Sequence, residues 1–320
     1  MSNFVSEMGI MGLVVTHGGK GTVSQPGAKA PWRILFKICN AKGVPFVHDF
    51  AKLAPPSAQR TLTDMPLSND NAARQLHAAY DANTLFAETL EGTIAADDAY
   101  AVQFELLTLR EAAGEALAGW KVGLTSVAMQ RQQGVHEPCL GHLLVSGQRP
   151  APTTFDFDTL HGPGFENELC LRLGKPLEGP DVSLASAADA IDSIAPALEI
   201  IERRSALGAD FPLAIAGNAQ QHAYVTGAFA PFQGDVDLAE VEAVVSINGV
   251  EQELATGAEV LGTPLESIRW LAGKLAGFGR RLEAGTLVMS GSFTRQYDIA
   301  KGDRVETVFR PFGAATAQFN

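Results

Sequence analysis

Cysteine is scarce in this chain: Cys39, Cys139 and Cys170 are the only three in 320 residues, and no two have a paired spacing. That excludes a disulfide framework and points to a reducing compartment. Positive charge is also short, with 24 Lys and Arg against 36 Asp and Glu and a net charge of −12. Such a balance argues against nucleic acid or an anionic membrane as the main partner. No apolar run is long enough to span a bilayer. A short apolar patch at Met8 to Val15 follows Glu7 rather than a basic n-region, so no secretory signal is expected. From these absences the expected location is the cytoplasm.

What is present is ordinary for a soluble globular protein: 46% apolar and 19% charged residues, and enough chain for a large core. Residues 1–64 stand apart. They carry seven basic residues against three acidic ones, +4, which leaves −16 for the remainder. They are rich in Gly, Pro and Ser and have no sustained period beyond a short apolar run at Trp32 to Cys39. The expectation is a basic extension, disordered or outside the natural fold, with the fold itself beginning at Met65.

From Ser68 onward the pattern is helical. Ala73, Leu76, Ala79 and Tyr80 recur at helical spacing behind a Ser68–Asp70 cap. A second helix restarts at Asp97 or Asp98 and runs to about Leu117. Gly119–Ser126 reads as a strand entering a loop, and Leu140–Val145 as a strand. Beyond Arg204 the signal is mostly β. Asn248–Gly249 is a strong hairpin turn between Ala243–Asn248 and Val250–Leu254, and Leu265–Phe278 is a helix. Strands are expected at Thr286–Ser290, Arg304–Phe309 and Thr316–Phe319. The sum is an α+β chain: a helical N-terminal part with a Lys-bearing strand and loop over 65–150, then a β-rich part over 151–320.

The stretch from Gly164 to Arg204 carries the chemistry. In a strand, alternate residues share a face, so Glu166 and Glu168 project together while Phe165, Asn167 and Leu169 face away. Ala195–Ile201 is apolar and β-branched apart from Glu199, which is costly to bury unless something pairs it. Spacing alone leaves two readings. In one, the acids lie on a solvated face and Glu199 pairs with Arg203 or Arg204, and this is the one that spacing favours. In the other, all three hold a hard divalent cation.

Several fragments together resemble one family. They are Gly119-Trp120-Lys121-Val122-Gly123-Leu124-Thr125-Ser126, Gly134-Val135-His136-Glu137-Pro138, Glu166-Asn167-Glu168 and Pro196-Ala197-Leu198-Glu199-Ile200. Trp270-Leu271-Ala272, Ser290-Gly291-Ser292 and Gly302-Asp303 follow in the right order. From Met65 to Phe319 the chain resembles the 2-keto-4-pentenoate hydratase family, which includes 2-oxohept-3-enedioate hydratases and 4-oxalocrotonate decarboxylases, within the fumarylacetoacetate hydrolase superfamily. The resemblance implies a mostly β fumarylacetoacetate-hydrolase-like catalytic domain. It also implies Mg²⁺ or Mn²⁺ held by Glu166, Glu168 and Glu199, with a 2-oxo or 2-hydroxydienoic acid as substrate. Water addition is the implied reaction. Decarboxylation of a 4-oxalocrotonate-like diacid, acylpyruvate hydrolysis, or a non-catalytic role beside such an enzyme are the alternatives. A homo-oligomer, working beside a pathway enzyme, is implied as well.

By the same resemblance Lys121 lines the pocket as a proton carrier or carboxylate contact, Ser292 donates a hydrogen bond to substrate, and Leu124 and Asn218 contact it. Two departures stand out. A catalytic carboxylate expected after Glu137-Pro138 is Cys139 here, and an acid expected before Asn218 is Gly217. Cys139 is thus a catalytic candidate by position, although an ordinary thiol is mostly neutral at pH 7. His136 or His222 could carry the displaced proton; packing or surface roles for them are equally open.

Overall fold

A computed structural model of the chain describes residues 68–205 and 210–320, together with two short strands, β1 (Lys37–Cys39) and β2 (Pro45–Val47), which pair antiparallel. Contacts divide the chain into two compact units, Met1–Met65 and Pro66–Asn320. The expectation of a disordered or foreign extension over 1–64 otherwise lies outside the described residues.

Ser68 opens α1 (Asn69–Asp81): its hydroxyl accepts the Asn71 N–H, and Ala72, Ala73, Leu76 and Ala79 form the buried stripe. A 3-10 turn at Ala96–Asp98 leads into α2 (Ala99–Ala112), which stops five residues before the expected Leu117. Gly114 takes a left-handed φ of 98°, and Leu117 already begins β3 (Leu117–Gly123). The polar segment after it is α3 (Val127–Gln133), capped by Ser126 and ended by a left-handed Gly134.

β4 (Cys139–Leu144), β5 (Gln148–Pro150), β6 (Thr153–Phe155) and the long β7 (Gly164–Leu173) follow. Then come α4 (Leu184–Ala190), β8 (Ile191–Ile201), α5 (Phe211–Ala216), β9 (Gln221–Thr226) and β10 (Ala230–Pro231). β11 (Glu242–Ile247) and β12 (Val250–Thr256) form the expected hairpin, with Asn248 and Gly249 both at positive φ as a tight primed turn requires. α6 (Pro264–Ala276), β13 (Leu287–Met289), β14 (Tyr297–Asp298), β15 (Arg304–Arg310) and β16 (Gly313–Phe319) complete the chain.

The fold is α+β, with helices leading and sheets following. A nine-stranded mixed sheet has the order β4-β3-β13-β7-β8-β9-β5, with β10 on β8 and β14 on β7. A five-stranded sheet has the order β12-β11-β15-β16-β6. Strands from both sides of residue 150 share the large sheet. One of its faces buries Leu169, Leu171, Trp120 and Val122 against Ile268, Leu271 and Leu275 of α6. Farther along, Phe165, Leu198, Ile200 and Val225 meet Val245, Val305, Ala315 and Phe319 of the second sheet. Each such aliphatic side chain contributes about 1.5–3 kcal/mol by leaving water. α1, α2 and α5 pack into a third cluster that includes Cys139. The other face of the large sheet carries a smaller apolar cluster of Leu143, Cys170, Ala197, Leu287 and Met289 with Tyr224, and beside it buried polar groups.

Candidate metal centre

β7 and β8 run antiparallel with Glu166 opposite Glu199 and Glu168 opposite Ala197. Period-two alternation therefore turns all three carboxylates to one face. One oxygen from each lies within 4.8 Å of the others, and the group is buried: Glu166 is 9% exposed, Glu168 and Glu199 not at all. Asn167, between the two acids, points the other way. Its Oδ1 accepts hydrogen bonds from Thr294 (2.5 Å) and, weakly, Ser292 (3.4 Å), while its C=O accepts the Phe293 N–H. The alternation of Glu-Asn-Glu thus aims two acids into the site and fixes the 291–294 loop from behind.

That loop returns a donor. The Gly291 N–H donates to Glu168 Oε2 at 2.8 Å. Gly291 adopts φ 101°, and a Cβ there would lie 2.4 Å from Thr125 Cγ2, so the close approach requires glycine.

Lys121 answers the remaining charge. It sits on the same sheet face, beyond β13, which ends at Met289. Its Nζ is 3.3 Å from Glu199 Oε1, and both side chains are buried. Burial alone would lower the lysine pKa, but Glu199, followed by Cys139, Glu166 and Glu168, holds it above its ordinary value, so the ammonium stays charged. Burial, then the facing Glu199, raises Glu166 to about 7. Burial, then Glu199 and Glu166, pushes Glu168 well above the usual carboxylate range.

The charges do not balance. Ionised together, three carboxylates against one ammonium would leave two negative charges, and Glu168 Oε1 and both Glu199 oxygens lack a hydrogen-bond donor. Buried acceptors without partners are costly. An all-oxygen set short by two positive charges fits a hard dication such as Mg²⁺, Mn²⁺ or Ca²⁺. The pairing that spacing favoured does not occur: Arg204 binds Glu202 at 2.6 Å and Arg203 binds Asp298 at 2.7 Å, leaving Glu199 to Lys121.

Cys139 flanks Lys121. A Cβ on Gly123 would meet Cys139 Sγ at 3.0 Å and Lys121 Nζ at 3.3 Å, so both groups border the same small gap. Burial raises the thiol to about 11, against the lowering pull of Lys121, and it is neutral at pH 7. Gly217 meets the Phe86 ring, where a Cβ would be 2.6 Å from Cε2. Leu124 holds a left-handed φ of 55°, uncommon for a branched residue, and its C=O accepts from Gln130.

Asn218 borders the site beside Lys121: a Cβ on Gly141 would lie 3.0 Å from its Oδ1 and 3.2 Å from Lys121 Cε. Its Oδ1 accepts the His142 N–H at 2.6 Å and its Nδ2 donates to the His142 C=O at 3.0 Å, a clamp on the β4 backbone next to Gly141. His222 pairs with Glu202 at 3.1 Å, and His136 is exposed. Sequence reasoning missed the Gly291 amide, for which the Ser-Gly-Ser turn was the available signal.

The sequence profile described as Fumarylacetoacetate (FAA) hydrolase C-terminal matches residues 148–320. The chain is 34% identical over 251 residues to 4-oxalocrotonate decarboxylase of Pseudomonas putida, covering 78% of this chain and 93% of that protein. It is 35% identical over 233 residues to 2-oxo-hept-4-ene-1,7-dioate hydratase of Escherichia coli, covering 71% and 87%. The solved structure of 4-oxalocrotonate decarboxylase from Pseudomonas putida G7, complexed with magnesium and adipate, superposes with TM-score 0.72 at 31% identity, covering 82% of this chain and all of that one. The chain belongs to the fumarylacetoacetate hydrolase family. Within it, the relatives at this level of identity are hydratases and decarboxylases of short unsaturated 2-oxo acids. No helix among the described residues is long and apolar enough to cross a membrane.

Proposed function

We propose that this chain is a divalent-metal-dependent lyase that adds water to a 2-hydroxy-2,4-dienoate or 2-oxoenoate of the kind formed in aromatic or steroid ring breakdown. The observation that carries this is the buried carboxylate trio facing a buried ammonium. Glu166, Glu168 and Glu199 would hold Mg²⁺ or Mn²⁺, which supplies Lewis acidity towards the carboxylate and C2 oxygens of the substrate.

The chain's own residues do the rest. Lys121, kept protonated by Glu199, holds the substrate's negative charge and can release a proton from Nζ as that charge moves. Ser292 is bound only at 3.4 Å to Asn167, so its hydroxyl is free to turn towards substrate. The Leu124 backbone, held left-handed beside Gly123, lines the approach. Asn218 acts as a positioning residue through β4.

Decarboxylation is the second reading, and Cys139 favours it. A thiol at about 11 takes no proton from water near neutrality, whereas loss of CO₂ needs no such base. The test is ultraviolet loss of the dienoate chromophore with Mg²⁺ or Mn²⁺, alongside CO₂ release from 4-oxalocrotonate. Chromophore loss without CO₂ supports the hydratase; CO₂ release supports the decarboxylase. Silence in both, with a hydratase co-purifying, points to a non-catalytic subunit. We also read the chain as a homo-oligomer in a reducing cytoplasm, which suits the buried free thiols of Cys139 and Cys170 among the described residues; light scattering tests the assembly.

A further inference from the structure

Behind Cys139 lies a cavity of about 440 Å³. Its wall is apolar for the most part, with Ala99 and Tyr100 from α2, Pro138 just before β4, Cys139 at its start, and Phe211 and Ile215 from α5. The size falls in the range of small-molecule sites, roughly 300–1,000 Å³. A dry cavity of roughly 150 Å³ already holds a benzene ring, so there is room for a ring and its linker. None of the metal-site glutamates lines it. Cys139 is the shared element: it forms cavity wall, and its Sγ and the Lys121 Nζ both crowd the position where a Cβ on Gly123 would stand, at 3.0 and 3.3 Å.

The electrostatics of the wall are as telling as its size. No lysine or arginine lines it among the described residues; its ionisable side chains besides Tyr100 and Cys139 are His136 and Glu137, and Glu137 is paired at 2.7 Å with Lys274, whose ammonium lies 5.2 Å from the Tyr100 ring centroid. A second carboxylate entering here would lose hydration and meet only His136, the Lys274 ammonium being already paired with Glu137. An apolar group would gain the burial. The neutral thiol at 139, where relatives of the resembled family carry an acid, extends that apolar surface to the edge of the metal centre.

We propose that this cavity receives the far end of the substrate, and that the end it takes is an uncharged alkyl or aryl group, so the substrate is a monocarboxylic rather than a dicarboxylic 2-oxo acid. The inference rests on the functional reading above and narrows its substrate class.

The experiment is calorimetric titration of the Mg²⁺-loaded protein with pyruvate, 4-phenyl-2-oxobutanoate and 2-oxoadipate. The aryl acid is expected to bind roughly tenfold or more tighter than pyruvate, the effect of burying most of a ring, and 2-oxoadipate no tighter than pyruvate. Ala96 lies on the exposed rim of the wall, where substitution spares the core. Ala96→Trp should bring the aryl-to-pyruvate ratio down towards one, and Ala96→Arg should shift preference towards 2-oxoadipate, with thermal melts confirming the fold of both. Equal binding of all three acids, tighter binding of the diacid by the wild type, or an unchanged ratio in Ala96→Trp would overturn the proposal. Turnover of 2-hydroxypenta-2,4-dienoate, which has no such tail, reports separately on the proposed activity. An aryl preference without turnover leaves the cavity assignment standing and removes the enzymatic one, while turnover without the preference does the reverse.

Discussion

Glu166 and Glu199 face each other directly across the β7–β8 ladder, two buried carboxylates at paired positions on adjacent antiparallel strands. Like charges so placed destabilise a sheet. Divalent metal should therefore act as a structural ligand as well as a cofactor. At a hundred times its Kd, a ligand that binds only the folded state adds ~2.7 kcal/mol. For a unit of this size that is a rise in Tm of about 5–10 °C. Scanning fluorimetry with Mg²⁺ or Mn²⁺, against NaCl at equal ionic strength, measures it. The Glu168→Gln variant should lose this shift, yet be more stable than the wild type when both are metal-free, because one buried acid is gone. A metal-free variant melting well below the wild type would count against the crowding argument.

Lys121 supplies the only cation near Glu199 that the described residues offer. Breaking a buried pair from one side leaves the other charge stranded, at about 3–5 kcal/mol. Lys121→Met should lower stability by that order at pH 7 in urea titrations without metal. Added Mg²⁺ should recover part of the loss, because the dication answers the same carboxylates. Turnover should remain at least 100-fold down, the scale of a lost proton-transfer group. Recovery of both together would reduce Lys121 to a counter-charge.

The alternation in Glu166-Asn167-Glu168 was enough to place two acids on one face, and the apolar run around Glu199 was enough to bury it. Which cation answers Glu199 was not legible, because sheet order rather than chain proximity brings Lys121 to it. The nearby arginines misled for a local reason. Glu202, just past the end of β8 and three residues from Glu199, takes Arg204, His222 and the His161 N–H. The end of α2 was overrun because Leu117 continues the apolar spacing, while Gly114, the actual breaker, lies before it. The clamp that Asn218 places on a β4 backbone amide and carbonyl leaves no trace in side-chain spacing.

Gly217, where the resemblance implies an acid, packs closely against Phe86. A Cβ there would lie 2.6 Å from Phe86 Cε2 and 2.8 Å from Cζ, although its φ of −81° suits any residue. Gly217→Ala should cost about 1–3 kcal/mol through overpacking. In a Phe86→Leu background the same change should cost less, a coupling of about 0.5–3 kcal/mol in a double-mutant cycle read by urea unfolding. Strict additivity would mean that the ring moves aside freely.

His142 gives the protein an acid-sensitive core. It is fully buried opposite Trp120, and neither ring nitrogen has a hydrogen-bond partner. Burial first, then Arg110 and Arg280, lowers its pKa from 6.5 to about 3. The unfolded chain thus binds a proton that the folded one refuses throughout that window. Stability from the neutral ring is complete above the unfolded value near 6.5 and falls as pH drops from there towards 3, by several kcal/mol. His142→Leu removes both the titration and two unpaired buried nitrogens. It should hold stability at pH 7 within about 1 kcal/mol of the wild type, or raise it, since replacing unpartnered polar atoms by apolar ones of similar shape is close to neutral. It should also flatten the loss of Tm between pH 6.5 and 4. Melts across that range for both proteins decide the matter, and parallel acid limbs would assign the sensitivity to other groups.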